Sequence, residues 1–168
     1  ARQTECEGVD QRIYAQALAI SSGKKGLALL LTVDNVGVPR ALRDELAARL
    51  ARKAGLRPER FALCSTHTHT APMLSNSIPN IFGATLPPDQ QGRVDRYTSE
   101  LTDKLEQAAL AALKARQPAT LAWGQTRAGF AANRRTQGGP VDHDLPVLVA
   151  RDKSGRIRAL FTSYACHC

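Results

Sequence analysis

Short apolar runs alternate along this chain with two long segments of helical periodicity, and this alternation constrains the fold more than any other feature. Residues 12–20 and 27–34 are apolar runs on either side of a Ser- and Gly-containing turn, which predicts a β-hairpin. Residues 61–66 predict a further short strand. Helices are predicted for residues 39–54, opened by a proline, and for residues 91–116.

The helical segments carry apolar residues at four-residue steps, which marks one face of each helix for burial. These residues are Leu42, Leu46 and Leu50 in the first segment, and Tyr97, Leu101, Leu105, Ala109 and Leu113 in the second. Three more strands are predicted at residues 120–126, 145–151 and 157–165. We therefore predict an α/β fold, with a mixed β-sheet, antiparallel hairpins and at least two long helices packed on the sheet.

Residues 1–168 are interpreted as part of a single catalytic domain that is truncated at both ends. The chain does not begin with Met, and its last residues follow directly on a predicted strand. The formal net charge of +8 is spread over the sequence and is not interleaved with stacking aromatic residues, so we expect no nucleic-acid partner. No apolar run approaches the roughly 20 residues that are needed to cross a bilayer.

Three of the four histidines follow the ends of predicted strands. Residues two apart in an extended segment project to the same side, so His67 and His69 are expected to face one cavity. Imidazole is a common zinc ligand, although a histidine pair of this spacing is more often structural than metal-binding. The chain lacks the H-E-x-x-H motif of zinc proteases and the G-x-S-x-G motif of serine hydrolases.

Five further residues are candidates for a site. Arg134 can bind an anion or a developing oxyanion, or can be an ordinary surface arginine. Asp34 ends a predicted strand, where it can orient a ligating histidine or cap the following turn. His143 lies between two aspartates and is expected to orient its loop rather than to bind metal. Cys166 and Cys168, on a strand, would face away from His167.

Three separated blocks resemble segments of the neutral/alkaline non-lysosomal ceramidases, N-terminal domain. Residues 65–72 (STHTHTAP) are similar to the histidine signature of that family, and Asn133-Arg134 is similar to its Asn-Arg loop. Residues 164–168 (YACHC) are similar to the segment that carries its strand-end histidine. The chain is identified on these grounds as a ceramidase-like bacterial hydrolase, with a resemblance that runs from about residue 8 to the end.

The resemblance implies a zinc-dependent amidohydrolase in which His67 and His167 bind the metal. His69 and Arg134 would hold the substrate or the tetrahedral intermediate, with Asp34 and Asn133 supporting these groups or contacting substrate. A glutamate and a tyrosine from a missing C-terminal part of the same chain would complete the zinc site, so residues 1–168 alone are expected to bind zinc weakly and to lack activity.

The resemblance further implies a small-molecule or lipid amide as substrate, with the N-acyl bond of ceramide as one example. It also implies peripheral contact with a membrane, and a secreted, periplasmic or membrane-associated location. The alternative is a metal-binding or structural module without catalytic activity.

Overall fold

The computed structural model describes residues 6–23, 26–77 and 85–167. The described chain forms six strands and two long helices, which confirms the predicted α/β class. It divides into two compact parts, here called the N-terminal unit (Ala1–Arg116) and the C-terminal unit (Gln117–Cys168). Neither helix in the described ranges is long and apolar enough to cross a membrane.

The N-terminal unit contains a three-stranded mixed sheet. Strands β1 (Ala15–Ser21) and β2 (Leu27–Val33) pair antiparallel, which confirms the predicted hairpin, although residues 24 and 25 of its turn lie outside the described part. Strand β3 (Phe61–Ser65) pairs parallel to β2. A helix lies between β2 and β3 in the chain, as a parallel pair requires.

Two helices cover this sheet. Helix α1 (Arg40–Ala54) begins after Pro39 and ends at Gly55, whose left-handed φ of 63° closes the last turn. Helix α2 (Pro88–Lys114) contacts both β1 and α1. It begins three residues before the predicted start, because Pro88 supplies a favourable first helical residue.

The predicted apolar faces of the helices form the core of the N-terminal unit. Apolar side chains of the strands and of both helices pack against one another and form one continuous hydrophobic cluster. Its buried members are Leu29, Leu31, Val33, Leu42, Leu46, Ala47, Leu50, Leu56, Phe61, Leu74, Leu101, Leu105, Ala109 and Leu113.

The C-terminal unit is a three-stranded antiparallel sheet with the order β4-β5-β6. Its strands are β4 (Thr120–Arg127), β5 (Asp144–Arg151) and β6 (Ile157–Thr162). Strand β6 ends three residues before the predicted Ala165. The pairing of Val147 with Thr162 would bring Pro146 opposite the next residue, and proline has no N–H with which to continue the ladder.

Residues 163–167 therefore do not form a strand. The prediction that Cys166 faces away from His167 assumed a strand here, and that assumption was wrong. The amide of Cys166 donates to the carbonyl of Tyr164 at 2.9 Å, which marks a tight turn and not an extended segment. Cys168 lies outside the described residues.

Candidate metal and substrate site

The segment that follows β3 is fastened to the ends of β1 and β2 by one carboxylate. Asp34 accepts a hydrogen bond from the amide of Tyr14 at 2.8 Å and another from the hydroxyl of Thr66 at 3.1 Å. The amide of Thr66 also donates to the carbonyl of Val33 at 3.1 Å. Asp34 therefore fixes the residue immediately before His67, and its role in supporting a ligating histidine stays a prediction.

His67 is held by the backbone of the segment after β2. Its Nδ1 lies 2.6 Å from the carbonyl oxygen of Val36. A carbonyl oxygen can only accept, so Nδ1 carries the hydrogen and, in a neutral ring, Nε2 carries the lone pair. This arrangement is the one that prepares a histidine for metal binding through Nε2.

The prediction that residues 67–69 form an extended segment was wrong. His67 has a left-handed φ of 63°, a conformation that costs a non-glycine residue about 1–3 kcal/mol. The two rings nevertheless approach each other, with centroids 4.9 Å apart and planes at 83°. A left-handed turn, and not strand alternation, brings His67 and His69 together.

Asn35 has a structural role at this site that the sequence analysis missed. It is buried, its side-chain amide donates to the carbonyl of Pro72 at 3.1 Å, and its oxygen accepts from the amide of Gly37 at 3.3 Å. The histidine segment is thus fixed beyond His69 as well as before His67. The available signal was an Asx residue two positions before a glycine, which is typical of an Asx turn.

In the C-terminal unit, Asn133 organises the loop that carries Arg134. Its side-chain oxygen accepts from the amides of Arg135 at 3.1 Å and Thr136 at 3.0 Å, and its Nδ2 donates to the carbonyl of Pro140 at 3.2 Å. Gly139 packs so closely that an added Cβ would lie 2.7 Å from Nδ2 of Asn133. These contacts fit the supporting role that was predicted for Asn133.

Arg134 and His167 meet in the same unit. The Nη1 of Arg134 lies 3.3 Å from Nδ1 of His167, and both side chains are exposed. They line a shallow depression of about 190 Å³, together with Asp142 and Cys166. Arginine only donates, so Nδ1 of His167 accepts and, in a neutral ring, the hydrogen lies on Nε2. His167 and His67 are therefore held in opposite tautomers.

His143 contacts Tyr164, with Nδ1 at 3.4 Å from the phenolic oxygen, and its carbonyl accepts from the amide of Ala128 at 3.0 Å. Both contacts join the loop to neighbouring segments, in line with the loop-orienting role that was predicted for His143. The sequence analysis gave Tyr164 no role.

The structure thus brings together His67 with His69 in the N-terminal unit, and Arg134 with His167 in the C-terminal unit. That His67 and His167 share one zinc ion stays a prediction. The catalytic roles of His69 and Arg134 also stay predictions.

The chain has a ceramidase-like fold. It is similar to the solved structure of neutral ceramidase from Pseudomonas aeruginosa, with a TM-score of 0.73 at 19% sequence identity. A ceramidase complexed with C2 matches with a TM-score of 0.72 at 20% identity. Each match covers 94% of this chain and 26% of the ceramidase chain, so the chain spans about a quarter of their length.

No protein-family model matches the chain, and no curated protein matches it. At these identities the solved structures establish the fold alone, and at that level they confirm the resemblance found in the sequence.

Proposed function

We propose that this chain is the N-terminal, metal-binding part of a ceramidase-like zinc hydrolase that cleaves an amide bond. The observation that carries the proposal is the fold that 94% of the chain shares with ceramidases, in which the T-H-T-H segment follows β3. Fold alone is compatible with many activities, so the residues at the ends of the strands decide which activity is proposed.

Zinc is the proposed cofactor, with His67 and His167 as ligands. His67 suits this role because its hydrogen bond to Val36 leaves Nε2 as the nitrogen with a lone pair. When bound, zinc would lower the pKa of a water molecule to about 7 and polarise the carbonyl of the substrate. We propose that the remaining ligands come from a part of the protein outside this chain.

Arg134 and a metal would compete for His167. A metal on Nδ1 would take the place of the Arg134 N–H group, which lies 3.3 Å away. A metal on Nε2 would instead require the hydrogen to lie on Nδ1, where Arg134 would no longer find an acceptor. Metal binding by either nitrogen would therefore release the guanidinium, which could then bind substrate.

Arg134 and His69 are proposed to act on the substrate. The guanidinium is a cation that presents several N–H donors, so Arg134 is suited to the oxygen on which negative charge develops. His69 is the proposed partner of that group, because an imidazole ring can act as a general acid or base. In the overall reaction, water adds across the C–N bond and gives a carboxylic acid and an amine.

The proposed substrate is a lipid amide such as the N-acyl bond of ceramide, and a different amide or an ester is the alternative. Peripheral contact with a membrane and a secreted, periplasmic or membrane-associated location are proposed on the same likeness. Co-sedimentation of the protein with lipid vesicles, compared with the protein alone, tests the membrane contact.

The hydrolase proposal is tested on the complete natural polypeptide that contains these residues. Purified protein is expected to hold about one zinc ion at the site and to hydrolyse a fluorescent short-chain ceramide or another labelled amide. The variant His67→Ala should lose both zinc and turnover. The matched variant His69→Ala should keep zinc and lose turnover, because His69 is assigned to substrate.

Zinc without turnover in the unaltered protein would favour the alternative of a non-catalytic metal-binding module. Equal zinc content in the unaltered protein and in His67→Ala would contradict the metal assignment.

A further inference from the structure

The segments that carry Arg134 and His167 lie outside regular secondary structure. Arg134 lies between β4 and β5, and His167 lies beyond the end of β6 at Thr162. Ladder hydrogen bonds therefore do not set their relative position, and other contacts have to do so. The side chain of Tyr164 joins the two segments.

The hydroxyl group of Tyr164 bridges three groups of the first segment. It donates to the carbonyl of Ala128 at 2.5 Å and accepts from the amide of Ala131 at 3.3 Å. The Nδ1 of His143 lies 3.4 Å from the same oxygen. A phenolic hydroxyl has one hydrogen to donate and two lone pairs. The hydrogen goes to the carbonyl of Ala128, so the lone pairs accept from the amide of Ala131 and from a hydrogen on Nδ1 of His143.

The ring of Tyr164 adds a packing contact. Its centroid lies 4.5 Å from that of Phe130, with the ring planes at 51°, a separation typical of favourable aromatic pairs. Tyr164 is half-buried, whereas Phe130 is 73% exposed. Ring packing and hydroxyl contacts therefore restrain the same stretch of chain, between Ala128 and Ala131.

The contacts of Tyr164 with Ala128, Phe130 and Ala131 are here called the Tyr164 clamp. This clamp lies close in the chain to both Arg134 and His167. Ala131 precedes Arg134 by three residues, and Tyr164 precedes His167 by three residues. The backbone turn at Cys166 and the Asn133 contacts keep these short connections ordered. Fixing Ala131 to Tyr164 therefore limits how far Arg134 and His167 can separate.

We infer that Tyr164 is a positioning residue that holds the Arg134 loop beside the His167 segment. Its hydroxyl is fully occupied by the clamp, so it acts through Arg134 and not on the substrate. Its effect on turnover rests on the proposed function, whereas its effect on the Arg134–His167 contact does not.

The test compares Tyr164→Phe, which removes the hydroxyl and keeps the ring, with the matched control Tyr97→Phe in helix α2. In the whole chain without zinc, the amide of Ala131 should exchange hydrogen about five- to tenfold faster in Tyr164→Phe than in the control. The nuclear Overhauser contact between the His167 ring and the Arg134 side chain should weaken only in Tyr164→Phe. Unchanged exchange and an unchanged Overhauser contact would overturn the inference.

A double-mutant cycle then shows whether Tyr164 acts through Arg134. In the zinc-loaded complete protein, Tyr164→Phe should lower kcat by about 10- to 100-fold, since a displacement near 1 Å can have that effect. In an Arg134→Gln background the same change should lower kcat by less than about twofold. An equal loss in both backgrounds would overturn the inference.

The two proposals fail in different ways. If neither the unaltered protein nor a variant hydrolyses an amide, the proposed function is wrong. The positioning role of Tyr164 is still supported if the exchange and Overhauser results are as expected. If the protein hydrolyses an amide but Tyr164→Phe matches Tyr97→Phe in hydrogen exchange, in the Overhauser contact and in kcat, the positioning role of Tyr164 is wrong. The proposed function is then still supported.

Discussion

The two units differ in how they hold their functional side chains. Among the residues that the structure describes, the N-terminal unit contains a cluster of 14 buried hydrophobic residues, which packs against the strands that lead to His67. In the described part of the C-terminal unit, residues 117–167, the buried hydrophobic residues are Ala131 and Ala150, and every residue of β4 is exposed. Hydrophobic burial stabilises the first unit, whereas the second depends on strand pairing and on polar side-chain contacts.

This difference extends to the site residues. Backbone carbonyl groups of Val36 and Val33 hold His67 and Thr66, the Asp34 side chain also binds Thr66, and Val33 belongs to the buried core. Side chains, namely Asn133 and Tyr164, organise the segments of Arg134 and His167. We therefore expect core substitutions to lower the stability of the N-terminal unit strongly. Single polar substitutions should instead change the geometry of the C-terminal unit.

The largest expected effect is the loss of a core side chain. Leu105→Ala removes a fully buried residue of α2 and should lower the free energy of unfolding by about 2–5 kcal/mol. Leu160→Ala in β6 is the matched control, because Leu160 is 56% exposed, and should change that free energy by about 0.5 kcal/mol at most. Urea denaturation measures both, and equal losses would remove the contrast between the units.

A buried carboxylate sharpens the comparison within the N-terminal unit. Glu106 in α2 is buried and pairs with Lys53 and Arg49 of α1. The ion pair with Lys53, with a smaller contribution from Arg49, holds the pKa of Glu106 below its ordinary value of 4.5, although burial opposes this. Glu106→Gln should lower the free energy of unfolding at neutral pH by about 1–3 kcal/mol.

The sign of the pH dependence follows from the lowered pKa of Glu106. Its contribution to stability is complete above pH 4.5 and is lost as the pH falls from there through the lower folded-state pKa. The unfolding free energy of the unaltered chain should therefore fall towards that of Glu106→Gln below pH 4.5. A gap between the two proteins that stays constant down to pH 2 would contradict this assignment.

In the C-terminal unit, a single methyl group should disturb the Arg134 loop. Gly139→Ala would place a Cβ 2.7 Å from Nδ2 of Asn133 and 2.9 Å from the carbonyl of Thr136, at a cost of about 1–3 kcal/mol. Gly129→Ala is the control, because it meets no atom within 4 Å. Hydrogen exchange at the amides of Arg135 and Thr136 should accelerate only in Gly139→Ala, and similar rates in both variants would refute this account of the loop.

The smallest effect concerns the backbone at His67. His67→Gly should be more stable than His67→Ala by about 1 kcal/mol, because glycine adopts a left-handed φ without strain. At position 69, where φ is not positive, His69→Gly should be less stable than His69→Ala. Thermal unfolding of the four variants provides the comparison, and the same order at both positions would exclude strain at His67.

Periodicity predicted much of the fold because burial determines it. The four-residue spacing in α1 and α2 correctly identified Leu46 and Leu105 as core residues, and Pro39 and Gly55 marked the ends of α1. The end of β6 was misplaced because it depends on Pro146 in the neighbouring strand, and a strand considered alone carries no information about its partner.

The site was less predictable than the fold. The histidine motif and the Asn-Arg pair selected side chains that do lie together within each unit. The hydrogen bond that holds His67, the bond between the buried Asn35 and Pro72, and the hydroxyl contacts of Tyr164 all depend on groups that are 21 to 37 residues away in the chain. Local patterns do not encode such long-range contacts, so only the structure reveals them.

The most direct test of the central claim, that His67 and His167 bind one zinc ion, is a competitive zinc titration with a chromophoric chelator. Zinc affinity would be compared among the unaltered chain, His67→Ala, His167→Ala and the control His143→Ala. Both ligand variants should bind zinc at least about tenfold more weakly than the unaltered chain, and the control should not. Affinity that is unchanged in His167→Ala would contradict a metal site shared by these two histidines.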